Sequence, residues 1–312
     1  MEAIIRIIVP ALAGILTMSC EPLQETLREE KVEVRIDAGV KTKAALPDDG
    51  KIRSLDLLVF RDGGILEAWT RNEQQSISVS VLKGGTYRWY LVANAPEALD
   101  SFTREEQFLG SLSHLSDNSP AFPVMEGRGE CRFSEDTRIG ATLQRLISKV
   151  TLETVRADFL KDSYMNSEVR LERVFLLKAC ATIPYSMASS AGVRYNHTGL
   201  EVDSGSSLGR MLCRERGVRL GPESLSENTS LLCCPDPGGE TRLVVEISID
   251  GTPNYYPVRI PQMQPNTEYL VKDLVLIGPG AARPYEDVPR IDVSFNVEVS
   301  PWQEENQEAY FN

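Results

Sequence analysis

The sequence predicts an all-β protein that contains two β-sandwich domains. Three observations favour this fold class: apolar and polar residues alternate with a period of two in many short segments, turn residues separate those segments, and helical periodicity is rare. Such alternation places one face of a strand against a core and the other face in solvent. Many short strands separated by turns are typical of sandwiches and barrels.

Four strands are predicted in the first third of the sequence. Turn residues bound each of them, and Gly50, Gly64 and Gly85 supply the positive backbone angles that hairpin turns require. The alternation is clear in the first strand, where valine and isoleucine interleave with charged residues. The predicted strands are Val32–Gly39, Leu55–Val59, Ile77–Val81 and Tyr87–Ala93.

One short helix is predicted after Thr103, because Glu106 three residues later completes a capping box and Phe108 begins a short apolar face. The segment Ala188–Gly221 is rich in serine and glycine and is expected to be a long loop region. The remaining predicted strands are Leu146–Val155, Val169–Ala179, Thr241–Ile249, Tyr255–Ile260, Tyr269–Ile277 and Ile291–Val299.

The beginning of the chain resembles an export signal. Residues 1–19 form an apolar segment that is too short for a comfortable membrane-spanning helix, and the segment ends at Cys20. A cysteine in this position resembles a lipobox, so Cys20 is the predicted lipidation site and outer-membrane lipid a predicted partner. An ordinary signal peptide followed by a chance cysteine is the alternative. The polar residues Glu21–Lys31 read as a tether.

The length of 312 residues allows two domains of ordinary size, each with its own core. A boundary is expected near Gly140–Arg145. The predicted organisation is a signal peptide at 1–19, a tether and N-terminal strand at 20–43, an N-terminal sandwich at 44–143 and a C-terminal sandwich at 144–312.

Composition and motifs exclude several classes of function. The formal net charge of −12 disfavours nucleic acid, because binding to phosphates depends on lysine and arginine. No phosphate-binding glycine loop or metalloprotease motif is present. His114 and His197 lie in polar surroundings, so no catalytic residue, metal site or cofactor is predicted. The adjacent Cys233 and Cys234 are expected to pack in a core or to pair with Cys213.

Four stretches occur in a characteristic order. The first joins Val32–Gly39 to Lys43, Ala44 and Ile52–Phe60; the others are Tyr87–Asn94, Arg145–Leu152, and a C-terminal set of Tyr255–Val258, Asn266–Tyr269, Gly278–Gly280 and the last strand. Behind a lipoprotein signal, this order resembles the fimbrillins, the subunits of the type V pili of anaerobic oral and gut bacteria. The resemblance covers most of the chain and is weakest from Ala181 to Gly239.

The resemblance implies two tandem Greek-key, transthyretin-like sandwiches. It also implies a lipidated precursor at the cell outer membrane, a trypsin-like maturation protease that removes the segment through the first strand, and incorporation with other pilus subunits into an extracellular fimbria that supports adhesion. Lys43 matches the basic residue before the cut, and Ala44 matches the new terminus. Most relatives have arginine at this position, so Arg35 and Arg53 remain alternative cut sites.

Removal of the first strand would leave an open groove with unpaired backbone groups, which recruits another strand. The last predicted strand has the alternation that such a donor needs, as do the residues after it through Trp302 and Tyr310, and the sequence does not say which part is exchanged. The last strand is also compatible with completing its own domain. The predicted donor residues are Ile291, Val293, Phe295, Val297, Val299 and Trp302.

Other roles remain open at this point. Within a pilus, the chain is a candidate stalk, tip or anchor subunit, and an anchor is expected to keep its lipid and resist cleavage. The alternative outside a pilus is a surface lipoprotein that binds glycan through a β-sandwich. That role predicts an exposed aromatic platform, for which Trp69, Trp89 and Trp302 are the available tryptophans.

Overall fold

The structure is a computed structural model that describes residues 30–40, 51–188, 192–199, 201, 205–289 and 292–302. The described residues are mostly β-strand, which confirms the predicted all-β class. The strands of the first half are β1 (Lys31–Val40), β2 (Leu55–Arg61), β3 (Ile65–Asn72), β4 (Ser76–Leu82), β5 (Thr86–Ala93), β6 (Leu112–His114), β7 (Met125–Arg132) and β8 (Thr137–Arg145).

The second half continues with short and long strands. They are β9 (Ser148–Ala157), β10 (Val169–Leu177), β11 (Ala179–Cys180), β12 (Thr182–Pro184), β13 (Arg194–Tyr195), β14 (Cys213–Arg219), β15 (Leu225–Cys233), β16 (Arg242–Ile249), β17 (Thr252–Arg259), β18 (Thr267–Leu276) and β19 (Val293–Pro301). Two short α-helices, α1 (Glu105–Gly110) and α2 (Ser207–Leu212), lie between strands.

Seven strands form the first sandwich, in the order β3-β2-β5-β7-β8-β1-β4. The pairing of β7 with β8 is confined to two residue pairs, so the strands separate there into two facing layers. The layers β3-β2-β5-β7 and β8-β1-β4 enclose one apolar core. Its buried members include Val32, Val34, Ile36, Leu55, Leu57, Val59, Ile77, Val79, Val81, Tyr87, Trp89, Leu91 and Leu143.

The second sandwich consists of two four-stranded sheets, ordered β15-β9-β18-β19 and β14-β10-β16-β17. In the first sheet, β9 and β18 run parallel, whereas the pairs in the second sheet are antiparallel. Apolar residues from both sheets share one core. They include Val150, Leu152, Leu171, Val174, Leu231, Leu243, Val245, Tyr256, Tyr269 and Val271.

The two sandwiches also contact each other. The core of the second sandwich continues through Phe108 of α1 to Phe60 and Tyr90, which lie on the outer face of the first sandwich. The short strands β6 and β12 pair across the same region. The last strand of the first sandwich, β8, ends at Arg145, and the first strand of the second sandwich, β9, begins at Ser148. The predicted boundary at 143/144 therefore lies near the end of β8. The assignment of two domains stays a prediction.

Two local expectations were wrong. The helix is capped by Gln107 rather than Glu106, because the Gln107 Oε1 atom accepts hydrogen bonds from the backbone N–H groups of Thr103 and Arg104, at 3.2 and 3.1 Å. The expected loop at Ala188–Gly221 contains α2 and β14. Strand β14 lacks the apolar alternation of the other strands, and its pairing with β10 holds it in the sheet.

A buried carboxylate fastens the connection between β15 and β16. Asp236 is 1% exposed, and its two carboxylate oxygens accept hydrogen bonds from Arg194 at 2.8 and 2.9 Å. The same carboxylate accepts hydrogen bonds from the backbone N–H and the hydroxyl of Thr241 at 2.7 and 2.8 Å. Burial alone would raise the pKa of Asp236, but these hydrogen bonds outweigh burial and hold the pKa well below its usual value.

We expect Asp236→Asn to lower the free energy of unfolding by about 3 kcal/mol at pH 7, because the mostly buried Arg194 loses its close carboxylate partner and keeps only the exposed Glu240 at 3.7 Å. Since the folded state depresses the pKa, the stabilisation exists above the unfolded pKa of about 4 and disappears as the pH falls below it. Urea unfolding at several pH values measures both effects.

Asp287→Asn is the matched control for Asp236→Asn. The Asp287 side chain pairs with Arg242 and Arg259 but is 58% exposed, so its replacement is expected to cost less than about 1 kcal/mol. A difference between Asp236→Asn and the native protein that stays constant from pH 7 to pH 3 would contradict the assignment.

Candidate assembly site

Strand β1 lies between two other strands of its sheet. On one side, residues Lys31–Asp37 pair antiparallel with β4; on the other, residues Val34–Val40 pair parallel with β8. Both backbone edges of the strand are therefore bonded over much of its length. A strand in this position is an internal part of the sheet, although it belongs to the N-terminal part of the chain.

The side chains of β1 follow the predicted alternation. Val34 and Ile36 are 0% exposed and Val32 is 6% exposed, and all three face the core of the first sandwich. The residues between them point to solvent. Leu57 and Trp89 of the opposite layer belong to the same cluster, so the buried face of β1 packs against apolar side chains. The predicted first strand is confirmed as part of the core.

Polar contacts hold both ends of β1. At its start, the Lys83 Nζ atom lies 2.6 Å from the Glu30 carboxylate, and the backbone N–H of Glu33 donates to Asp136 at 2.8 Å. Near its end, Arg138 of β8 donates to Asp37, and this hydrogen bond lowers the pKa of Asp37. These groups are exposed, so they fix the register of the strand more than they stabilise it.

The predicted processing residues fall partly outside the described residues. Cys20, Lys43 and Ala44 lie outside them, so lipidation and the position of the cut stay predictions. Both alternative cut sites are described. Arg35 lies inside the paired region of β1, and the backbone N–H of Arg53 donates to Asn94 at 2.8 Å. Proteases need an extended, unpaired segment, so the structure disfavours cleavage at either arginine.

The predicted donor strand corresponds to β19, which pairs antiparallel with β18 at the edge of its sheet. Its apolar side chains are incompletely covered: Phe295 is 39% exposed and Val299 is 51% exposed, while Val293 and Val297 pack partly against the core. Ile291 lies outside the described residues. The strand thus occupies an edge of its own subunit but leaves half of its apolar face open to solvent.

Trp302 differs from the rest of the predicted donor residues, because it is 2% exposed. The guanidinium carbon of Arg145 lies 4.4 Å from the centre of the Trp302 ring, and the Lys149 Nζ atom lies 5.5 Å from it. The backbone N–H of Trp302 donates to Asn266 at 2.7 Å. The structure therefore anchors the end of β19 in its own subunit.

The tryptophans do not form the exposed platform that a glycan-binding sandwich predicts. Trp89 is 6% exposed and Trp302 is 2% exposed. Trp69 is half-buried in β3, and its indole N–H donates to the buried Asp56 carboxylate at 3.2 Å. Each tryptophan is thus used in packing, and none is presented as a stacking surface.

Among the described residues, the cysteines are unpaired thiols, and the cysteines and acidic residues are not grouped as a metal site requires. The five described cysteines, Cys131, Cys180, Cys213, Cys233 and Cys234, are free thiols. Burial raises the pKa of Cys213 to about 11 and that of Cys233 well above its usual value, which disfavours the reactive thiolate. Among the described residues, no group of three or more His, Cys, Asp or Glu side chains is placed to hold a metal ion. Within the same part of the chain, no helix is long and apolar enough to cross a bilayer.

Comparison with known proteins supports the fold. No family model matches the chain, and no curated protein matches its sequence. A candidate cell adhesion protein from Bacteroides eggerthii is similar in structure, with a TM-score of 0.68 and 18% identity over 88% of this chain and 96% of the other. A candidate cell adhesion protein from Parabacteroides distasonis gives 0.63 and 15% identity over 90% and 99%.

A fimbrilin from Porphyromonas gingivalis is also similar, with a TM-score of 0.62 and 15% identity over 88% of this chain and 99% of the other. The similarity extends over nearly the full length of each solved structure, so it includes both sandwiches. At these identities it establishes the architecture. The resemblance seen in the sequence is confirmed at that level: the chain has the fold of fimbrilins and related cell adhesion proteins.

Proposed function

We propose that the protein is a structural subunit of a surface fimbria that polymerises by strand exchange after proteolytic removal of its N-terminal strand. The internal position of β1 supports this proposal most directly. Removing an edge strand leaves one unpaired edge, whereas removing β1 leaves unpaired backbone on both β4 and β8. The vacancy has the length, width and hydrogen-bonding groups of one strand.

The energy of the vacancy favours its refilling. Three buried aliphatic side chains of β1 contribute about 1.5 to 3 kcal/mol each, or roughly 5 to 9 kcal/mol together. Each ladder hydrogen bond adds about 1 kcal/mol net. A new strand must offset the entropy of its own ordering, so one that is already extended is the best donor.

Strand β19 of a second copy is the donor in this proposal. The strand is extended in the free subunit, and its apolar and polar residues alternate as those of β1 do. Its apolar face is only partly buried in its own subunit. Trp302 directly follows β19, so donation of the strand first requires release of the indole from Arg145 and Lys149.

Maturation in this proposal begins from a precursor held at the outer membrane by acylated Cys20. A trypsin-like protease then cuts between Lys43 and Ala44, in the connection from β1 to β2. The pairing of Arg35 and the hydrogen bond at Arg53 direct cleavage to that connection. Other pilus subunits are the partners of the trimmed chain, and the assembled fimbria is extracellular. The role needs no catalytic residue or cofactor.

Limited trypsin treatment of the precursor tests the proposal. We expect a new N-terminus at Ala44 by sequencing and a ladder of oligomers that resist mild SDS. An excess of a peptide copying Lys31–Val40 is expected to suppress the ladder, because it refills the vacancy. A peptide with the same residues in scrambled order is the control.

Replacing the three lysines of the connection, Lys41, Lys43 and Lys51, with glutamine provides the matched precursor, which is expected to stay uncut in the connection and monomeric under the same treatment. A trimmed chain that remains monomeric at high concentration would reject strand exchange. A precursor that resists cleavage near Lys43 would instead favour an anchor role, in which the lipid and the first strand are retained.

A further inference from the structure

A cavity of about 290 Å³ opens beside the buried indole of Trp302. Strand β15 and the neighbouring β14 form much of its wall, so it lies where the edges of the two sheets of the second sandwich meet. The cavity is too small to hold a β-strand. Its volume is near the lower limit of small-molecule pockets, about 300 Å³, and suits one sugar unit or a ligand of similar size.

Three cations line this cavity in a protein whose net charge is −12. Two of them have acidic partners. The Lys149 Nζ atom lies 2.9 Å from the Glu268 carboxylate, and Arg216 pairs with Glu227. The third, Arg214, is different, because its one side-chain hydrogen bond among the described residues goes to the backbone oxygen of Cys213 at 3.0 Å. No carboxylate of the described residues pairs with it.

Arg214 also lies in a positive environment. Burial lowers the pKa of its guanidinium, and the charges of Arg210 and Arg216 lower it further. An arginine in such surroundings retains its charge, so the hydrogen bond to the Cys213 carbonyl offsets only part of the cost of half-burying the guanidinium. A ligand anion placed beside the guanidinium would relieve that cost and form charge-assisted hydrogen bonds.

Of the other residues that line the cavity, Pro120, Leu232 and Trp302 are apolar, Glu227 is paired with Arg216, and three consecutive residues of β15 are polar. Strand β15 carries a bulge between Ser226 and Thr229, where Asn228 adopts a positive φ of 45°. Asn228, Thr229 and Ser230 follow one another in the cavity wall. Bulges of this kind re-aim side chains next to binding sites. Hydroxyl and amide groups around a cation match a ligand that carries both hydroxyls and one acidic group.

We propose that this cavity binds a single carboxylated sugar unit, such as a uronic acid, with Arg214 as the partner of the sugar carboxylate. The amide and hydroxyl groups of the β15 bulge bind the sugar hydroxyls. The acidic surface of the protein opposes long polyanions, so the site selects an isolated acidic unit rather than a highly charged polymer. The site is complete in the free subunit, where Trp302 is in place.

Titration of the full chain with glucuronate tests the proposal, with glucose as the uncharged control. Tryptophan fluorescence or ligand-observed NMR measures binding, since Trp302 forms part of the wall. We expect millimolar affinity for glucuronate, as for other single sugar units, and none for glucose. Arg214→Gln is expected to weaken binding by at least about tenfold, and Arg214→Lys, which keeps the charge without the planar fork, by less.

Arg219→Gln is the matched control, because Arg219 is an exposed residue of the same strand that does not line the cavity. Circular dichroism and thermal melting confirm that each variant is folded. Equal binding of glucuronate by the native chain and by both Arg214 variants would overturn the proposal. It would also be overturned if acetate or a glutamate-containing peptide bound as tightly as glucuronate, since the sugar ring would then contribute nothing.

Discussion

Replacing Ile36 with aspartate is expected to lower the free energy of unfolding of the precursor by about 4 kcal/mol or more. Ile36 is 0% exposed and lies between Ile77 of β4 and Ile139 of β8. A carboxylate at this position loses the apolar contacts of the isoleucine and is forced either into an apolar core without a partner or out of the sheet. Urea unfolding of the precursor measures the change.

The same substitution has a second expected effect. Because the charged strand no longer fits its position, the Ile36→Asp precursor is expected to form SDS-resistant oligomers without any proteolysis. Arg35→Gln is the control in the adjacent position: its side chain is 51% exposed, so stability is expected to change by less than about 0.5 kcal/mol. An Ile36→Asp precursor that is both stable and monomeric would show that β1 is not the strand that closes the first sandwich.

Trp302→Ala is expected to destabilise the free subunit by about 3 to 5 kcal/mol. The substitution removes the aromatic ring that packs on the Arg145 guanidinium, and Arg145 is itself 0% exposed. It therefore leaves a cavity beside a buried cation. Thermal or urea unfolding, monitored by circular dichroism, measures the loss.

Phe295→Ala is the control for Trp302→Ala within the same predicted donor segment. Phe295 is 39% exposed in the free subunit, so its replacement is expected to cost less than about 1 kcal/mol there. If β19 is donated, however, the order reverses in assembly, and Phe295→Ala shortens the oligomer ladder. Equal costs for the two substitutions in the free subunit would show that β19 is anchored along its length rather than at its end.

Strands with one clean apolar face could be predicted from the sequence, and β1, β4 and β16 are examples. Two of the strands that were missed, β3 and β15, lack that signal. In β3 the residues are partly exposed on both faces, and β15 carries a bulge that breaks the alternation. Apolar and polar residues alternate where one face of a strand is buried. A strand that is hydrogen-bonded to its neighbours but has no buried face therefore shows little alternation in its sequence.

The candidate assembly site could be predicted only in part. Alternation identified Val32–Gly39 and the donor segment, but it could not show that β1 lies between β4 and β8, because pairing partners far apart in sequence leave no local pattern. The anchoring of Trp302 was missed for the same reason. Its partners Arg145 and Lys149 precede it by about 150 residues. The cavity at Arg214 lies in a segment expected to be loop.

The parallel pairing of β1 with β8 also bears on how the chain folds. Glu33 and Asp136 are hydrogen-bonded across 103 residues of sequence, so the loop between these strands must close before β1 gains its second neighbour. Long-range contacts of this kind form slowly. We therefore expect β1, the first strand of the described residues, to be among the last to complete its pairing. Until that pairing forms, we expect a nascent chain to expose the same vacancy as the trimmed subunit of the proposed assembly.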